Sequence, residues 1–389
     1  MSKHESVLSL KFLLFFFHAA NSIVVTFLPL YLQHKDLDGK EIGWVLAIGP
    51  LASIIAQPFW GFMSDRYQTV KRILLICFGG LLSCSLLFFQ MNVLAAIIIM
   101  AAVFYFFISP IGALSDSLTQ RKADQLQIAF GSIRTWGSIG FAISALLIGE
   151  LLSLVDVDKM VWPYFLFGVA ALLSCLALTD IKVESKARVQ LKDIKRLLGN
   201  KPFLWFLFLI MFMTVTHRAS DSFLGIYIVQ LGGSEGLVGV AWFVGVLSEA
   251  IVFALAAVWF KKFHPLYFII AAGFLYSLRW FIYAFLDNPA FVIGFQFMHG
   301  ITFGVFYLTA FHYVTRLIPV NLQSTGHLVF VSVFFGVSGI IGSLLGGALI
   351  DSFGGETLYF ILGWSALIGS ISLIVYQMLP LKKVQQTVS

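Results

Sequence analysis

The sequence predicts an all-α membrane protein with twelve transmembrane helices in two pseudo-symmetric six-helix halves. Three observations carry this prediction. Of 389 residues, 59% are hydrophobic and only 11% are charged, where a soluble domain carries roughly 25% charged residues. Twelve apolar runs approach the ~20 residues that a helix needs to cross a bilayer. They lie near 10–33, 41–63, 72–91, 93–120, 127–151, 161–179, 203–230, 237–260, 265–286, 290–315, 323–350 and 357–379. One long polar stretch, Asp180–Lys201, holds seven Lys or Arg residues and separates the runs six and six. The halves are therefore 1–179 and 202–389, with 180–201 as a cytoplasmic linker.

Turn signals part the runs at Asp36–Gly39, Met91–Asn92, Asp156–Lys159, Gly232–Gly236, Asp287–Pro289, Pro319–Asn321 and Gly354–Gly355. Forty-one Phe and thirty-three Gly suit a lipid-facing surface and close helix packing. The net charge of +6 sits in short loops, so it points to membrane orientation and not to nucleic acid. Of the 25 Lys and Arg residues, Lys35, Lys40 and Lys159 fall on one side and Arg134, Arg218 and Arg279 inside the runs. All the others fall on the opposite side, which makes that side cytoplasmic and places both termini there. No cleavable leader is expected, because the apolar stretch after Lys11 is too long for an h-region and lacks a small-residue cleavage site. Cys77, Cys84 and Cys175 lie in apolar runs and read as packing residues, with no metal site or cofactor implied. Leu191–Leu198 reads as a short amphipathic surface helix. Gly342-x-x-x-Gly346 permits close helix contact.

Between the second and third runs, Gln57–Arg72 reads Q-P-F-W-G-F-M-S-D-R-Y-Q-T-V-K-R. Gly61 is expected to let two helices approach. Asp65 is expected to cap a neighbouring helix N-terminus or to pair with Arg66. Arg66, Lys71 and Arg72 hold the loop on the cytoplasmic side.

Ionisable residues inside the runs are the candidates for function, since burying one in a membrane helix costs roughly 2.5–3.5 kcal/mol on insertion scales. Asp116, Arg134, Arg218, Asp221, Glu249 and Arg279 accept that cost, and His217 and His299 join them. Three acids and three bases balance, so a paired network is expected; static pairing that fixes helix register is the alternative for any single residue. Asp116 and Arg134 flank the turn R-K-A-D-Q at similar depth, roughly 8–12 Å inside at ~1.5 Å rise per residue. They are expected to face each other. Phe141 lies two turns deeper on the face of Arg134. A guanidinium, a carboxylate and an aromatic plane suit a hydroxylated ring, and the guanidinium equally suits a carboxylate. Arg218 and Asp221 are i,i+3 neighbours and are expected to pair. Glu249 is the first choice for a protonatable carboxylate, because burial favours its neutral form. Arg279 or His299 nearby would reverse that preference; His299 suits packing equally well.

The chain resembles the lactose permease and phenylpropionate permease branch of the major facilitator superfamily, nearly end to end. F-L-P-L-Y-L at 27–32 is similar to the end of that family's first helix, and Q-P-F-W-G-F-M-S-D-R to its second helix and loop. R-T-W-G-S-I-G-F at 134–141 is similar to the fifth-helix segment with the sugar-binding Arg and the stacking aromatic. Asp116 falls at that Arg's carboxylate partner, and Glu249, Arg279 and His299 at the eighth-, ninth- and tenth-helix charges. Asp221 matches one of two seventh-helix acids. The departures are Thr302 where lactose permease has a proton-carrying Glu, Arg218 in place of an acid, Asp for Glu at 116 and Phe for Trp at 141.

The resemblance implies a secondary transporter working by alternating access, with proton-coupled uptake of a sugar, nucleoside or aromatic carboxylate. Asp116, Arg134, Phe141, Asn21, His217 and Asp221 form the expected solute-binding set. Glu249, Arg279 and His299 form the expected proton-coupling set, with Gly61, Asp65, Arg66, Lys71 and Arg72 as the gating loop. The expected partners are the solute, protons and the lipid bilayer, without nucleic acid; the expected state is a monomer in a bacterial cytoplasmic membrane. The alternative is a proton-driven antiporter exporting a drug or metabolite. An intramembrane enzyme is disfavoured by the lack of an H-E-x-x-H motif. A sensor that binds without transport is the remaining class.

Overall fold

The computed structural model describes residues 3–180, 196–260, 264–319 and 322–378. The surface helix expected at Leu191–Leu198 falls largely outside them, as does part of the Pro319–Asn321 turn. The helices are α1 (Lys3–His34), α2 (Gly39–Arg66), α3 (Lys71–Phe88), α4 (Leu94–Leu126), α5 (Phe130–Val155) and α6 (Val161–Leu176). After the linker come α7 (Lys201–Gln230), α8 (Glu235–Ala254), α9 (Pro265–Ala284) and α10 (Pro289–Leu317). A final helical stretch, Thr325–Met378, is long enough to cross a membrane twice. It is two helices, α11 (325–353) and α12 (355–378), because Gly354 breaks it with φ 80° and ψ 172°. A side chain rarely adopts that φ, so the expected Gly354–Gly355 turn falls where a glycine is needed.

Local chemistry sets the ends. Asp38 and Glu41 close a capping box on α2, with Glu41 N–H donating to Asp38 Oδ1 at 2.8 Å. Asn288 caps α10 just before Pro289. The R-K-A-D-Q segment expected as a turn is instead the last turn of α4, held by Gln120 Nε2 donating to Asp124 Oδ1 at 2.7 Å. Arg121, Lys122, Ala123 and Gln125 are good helix formers, and the chain turns only at Gln127, with φ 54°. At the other end of the range, α8 stops at Ala254 and a single turn, Ala256–Trp259, follows.

The chain forms two compact units, Met1–Lys186 with Leu224–Phe243, and Ala187–Phe223 with Val244–Ser389. In the first, α1 packs on α5 and α6, α2 on α4, and α3 on α4 and α6. Rings of Tyr31, Phe89, Phe104 and Tyr164 fill its core. In the second, α9 packs on α10 and along 338–378. There Trp280 Nε1 donates to Thr216 Oγ1 at 3.0 Å, and Tyr359 covers Trp280 and Tyr283. Gly342 meets α7 as its spacing predicts: an added Cβ would lie 2.8 Å from Ala219 N and 2.9 Å from Val215 O.

The α2–α3 loop departs from expectation in two ways. An added Cβ at Gly61 would meet nothing within 4 Å, so no close approach needs glycine there. The cap on α3 comes from Asp180 and not from Asp65. The Asp180 carboxylate accepts from Val70 N–H at 3.3 Å, Lys71 N–H at 3.2 Å and the Thr69 hydroxyl. In return Lys71 Nζ donates to the carbonyls of Leu176 at 2.7 Å and Leu178 at 2.6 Å, at the end of α6. An acid sits at one helix N-terminus and an amine at another helix C-terminus, each matching the local dipole. Among the described residues Asp65 makes no ion pair, and Arg66 lies over the Tyr67 ring at 6.0 Å.

Candidate functional site

In the first unit, Asp116 of α4 and Arg134 of α5 meet as their depth predicts. Arg134 Nε lies 2.9 Å from Asp116 Oδ1, with the side chains 31% and 38% exposed. Both side chains are part-exposed, although the Asp116 Oδ1 of the contact is itself buried. His18 of α1 joins it: an added Cβ on Gly137 would lie 2.5 Å from His18 Cδ2 and 2.7 Å from Arg134 Nη1, so both groups lie over Gly137. His18 Nε2 is buried without a hydrogen bond. Sequence reasoning missed His18; the signal was a single polar residue in the apolar run F-F-F-H-A-A. Phe141 follows on α5, where its carbonyl accepts from Ser22 Oγ of α1 at 2.9 Å. Its ring faces Trp242 at 5.9 Å, an aromatic partner not singled out from sequence. Asn21 is half-buried on α1 beside Ser22.

In the second unit a chain of titratable groups runs across α7, α10 and α8. Arg218 Nη1 donates to Asp221 Oδ2 at 2.9 Å, the expected pair. His217, one turn before Asp221, brings Nε2 to 3.4 Å of the same oxygen. The His217 ring lies flat on Phe303, with centroids 4.6 Å apart and planes 6° apart, and its centroid is 5.4 Å from that of His299. His299 Nε2 in turn lies 3.7 Å from Glu249 Oε2. The backbone explains this approach. Gly300–Gly304 is a π-helical segment, and its first N–H donates to Ser248 Oγ at 2.8 Å. A Cβ at Gly300 would strike the Ser248 carbonyl, so α8 and α10 cross at a distance only glycine permits.

Arg279 stands apart from Glu249. Buried at 1% exposure, it donates to Gln296, to Thr302 Oγ1 at 3.3 Å and to Tyr283 Oη at 3.3 Å. Its guanidinium also lies 4.6 Å from the Trp280 ring centre. The expected switching partner of Glu249 is therefore His299 alone, and Thr302 holds Arg279 by a neutral oxygen. Gln296, Thr302 and Tyr283 were not identified as partners from sequence.

Among the described residues, twelve helices are apolar enough to cross a membrane and carry charged side chains between them, one pair part-exposed and one cluster more enclosed, and comparison with known proteins supplies the class. The sequence profile of the MFS_1 like family matches residues 7–361, and the chain belongs to that family. It is 27% identical to the maltose permease of Geobacillus stearothermophilus over 94% of this chain and 92% of that one. It is 26% identical to the probable 3-phenylpropionic acid transporter of Escherichia coli (strain K12), over 79% of this chain and 81% of the relative. The crystal structure of the nucleoside transporter NupG shares the fold, with a TM-score of 0.88 at 15% identity, covering 97% of this chain and 100% of that one. The protein is a transporter and not an enzyme.

Proposed function

We propose that the protein takes up a small organic solute together with protons, by alternating access. Asp116, Arg134, Phe141 and Asn21 are the solute-binding residues of the first unit, and His217 and Asp221 those of the second. Glu249 and His299 carry the proton, and Arg279 sets the local field. The observation that supports this reading most is the His299–Glu249 contact at 3.7 Å, continued through His217 to Asp221 and Arg218. Titratable groups in series within apolar helices are expensive and suit a proton path. Maltose, nucleosides and 3-phenylpropionate are the first solutes to test, given what the relatives are named for. The setting is a bacterial cytoplasmic membrane, with both termini cytoplasmic, 180–201 as the linker between halves 1–179 and 202–389, and a monomer as the working form.

The test is solute accumulation in proteoliposomes under an imposed pH gradient, with the outside acid. Wild type accumulates solute, whereas Glu249→Gln loses accumulation and keeps solute exchange. Full accumulation by Glu249→Gln removes the coupling role. Solute expulsion on the same gradient replaces symport by antiport.

A further inference from the structure

The second unit holds a set of donors that suits a metal ion. His217 and Asp221 are i,i+4 on one face of α7, and His299 comes from α10. One ligand atom from each lies within 4.8 Å of the others. Two of the spacings already match a coordination shell. His217 Nε2–Asp221 Oδ2 is 3.4 Å and His299 Nε2–Glu249 Oε2 is 3.7 Å. In a tetrahedral site with bonds of about 2.0–2.1 Å, the ligand atoms stand about 3.4 Å apart. Among His217, Asp221 and His299 the remaining gaps need a contraction of about 1.4 Å at most, and Glu249 reaches this set through His299.

The surroundings favour such a shell. Phe303 lies against both imidazoles, flat under His217 and 5.4 Å from the His299 centroid. Arg218 donates to Asp221, the outer hydrogen bond that a ligating carboxylate commonly has. His217 is only 3% exposed, which keeps bulk water from its Nε2. The Asp221 and Glu249 carboxylates offset the Arg218 and Arg279 guanidiniums, and the Arg279 fork is taken up by the neutral Gln296, Thr302 and Tyr283. Two imidazoles with two carboxylates are a borderline donor set, suited to Zn²⁺, Co²⁺ or Ni²⁺ over Mg²⁺ or Ca²⁺.

We propose that His217, Asp221, His299 and Glu249 bind one divalent transition-metal ion of the Zn²⁺ class. The inference rests on this geometry and holds whether or not the same groups carry protons. A bound ion ties α7, α8 and α10 together and occupies Glu249.

The test is titration of the tag-free, full-length protein in detergent with Co²⁺, read by visible absorption, followed by displacement with Zn²⁺. One equivalent with the intense bands of a four-coordinate ion is expected, and Mg²⁺ displaces none of it. His299→Ala and Asp221→Asn should weaken binding at least about 10- to 100-fold, the loss already typical of outer-partner changes. Glu249→Gln keeps the side-chain shape and serves where Asp221→Asn fails to fold; it should weaken binding at least about 10-fold. His34→Ala, which breaks a separate His–Asp pair at 3.7 Å, should leave binding unchanged. No bound Co²⁺, binding indifferent to His299 and Glu249, or binding lost with His34 each overturns the proposal. None of these outcomes depends on a pH gradient, so failure here and failure of proton coupling are read separately.

Discussion

The two units treat buried charge in opposite ways. The Asp116–Arg134 pair is one ion pair, with both side chains about a third exposed. In the second unit His217 is 3% exposed, His299 11% and Asp221 17%, with Arg218 and Glu249 about a quarter exposed, and each of these five has a neighbour within the cluster. A reachable pair is cheap to open and free to exchange its partner for a solute oxygen. An enclosed network is costly to break, because removing one member strands another without water. The first arrangement suits recognition. The second suits a change of protonation or of bound cation that the helices around it must register.

The largest effect that tests this contrast is on stability. Asp221→Ala leaves Arg218 and His217 without their shared acceptor and should cost about 3–5 kcal/mol, as for other broken buried pairs. Asp116→Ala should cost about 1 kcal/mol or less, as for exposed pairs. Thermal unfolding of the two variants in one detergent measures both, and equal losses would abolish the distinction. Next, Gly300→Val forces a side chain into the Ser248 carbonyl and should cost about 1–3 kcal/mol as overpacking. It should also separate His299 from Glu249 and lower coupled accumulation further than simple solute exchange.

Recognition should respond in the reverse sense. Arg134→Ala should weaken solute binding about 10- to 100-fold, the value of about 1.5–3 kcal/mol for a hydrogen bond to a charged group, with little change in unfolding temperature. Ligand-induced thermal shifts measure this directly. A solute that binds Arg134→Ala as well as wild type moves recognition away from the first unit. The smallest effect is expected for Lys71→Ala. It removes the amine from the Leu176 and Leu178 carbonyls and should cost about 0.3–1 kcal/mol, seen as a slight fall in unfolding temperature.

What could be read in advance depended on how far the decisive signal lay from regular helix. Hydropathy and the Gly354–Gly355 punctuation located the helices, because lipid demands long apolar segments closed by turns. The Asp116–Arg134 pair was legible because one short turn between α4 and α5 sets both depths. It survived even though α4 ran on through R-K-A-D-Q. Arg218–Asp221 was legible from helix spacing alone. The partners of Arg279 were not, since Gln296 and Thr302 carry no charge to attract notice. They also sit where α10 departs from regular α-helix, in a 3₁₀ turn and a π segment, so a wheel drawn at 3.6 residues per turn misplaces them. Asp65 offers itself as a cap or as a partner of Arg66 because it is near in sequence, whereas the acid that caps α3 is Asp180, which reaches that helix from beyond α6.

The π segments have a consequence for how this site tolerates change. Gly300–Gly304 in α10 and Ser332–Val337 in α11 each hold one residue more than an α-helix of that length requires, and Phe303 and Phe334 from the two segments touch at 5.9 Å. Each is in effect an insertion that the helix absorbed without a loop. Deleting one residue within 300–304 would close the wide turn into a regular α-turn, because the extra residue is already absorbed there. The helix beyond it would keep its face, with Phe306 and Thr309 still in the interior. The same deletion in a regular stretch of α10 would turn everything beyond it by about 100°, so single-residue deletions tell a segment with a spare residue from one without.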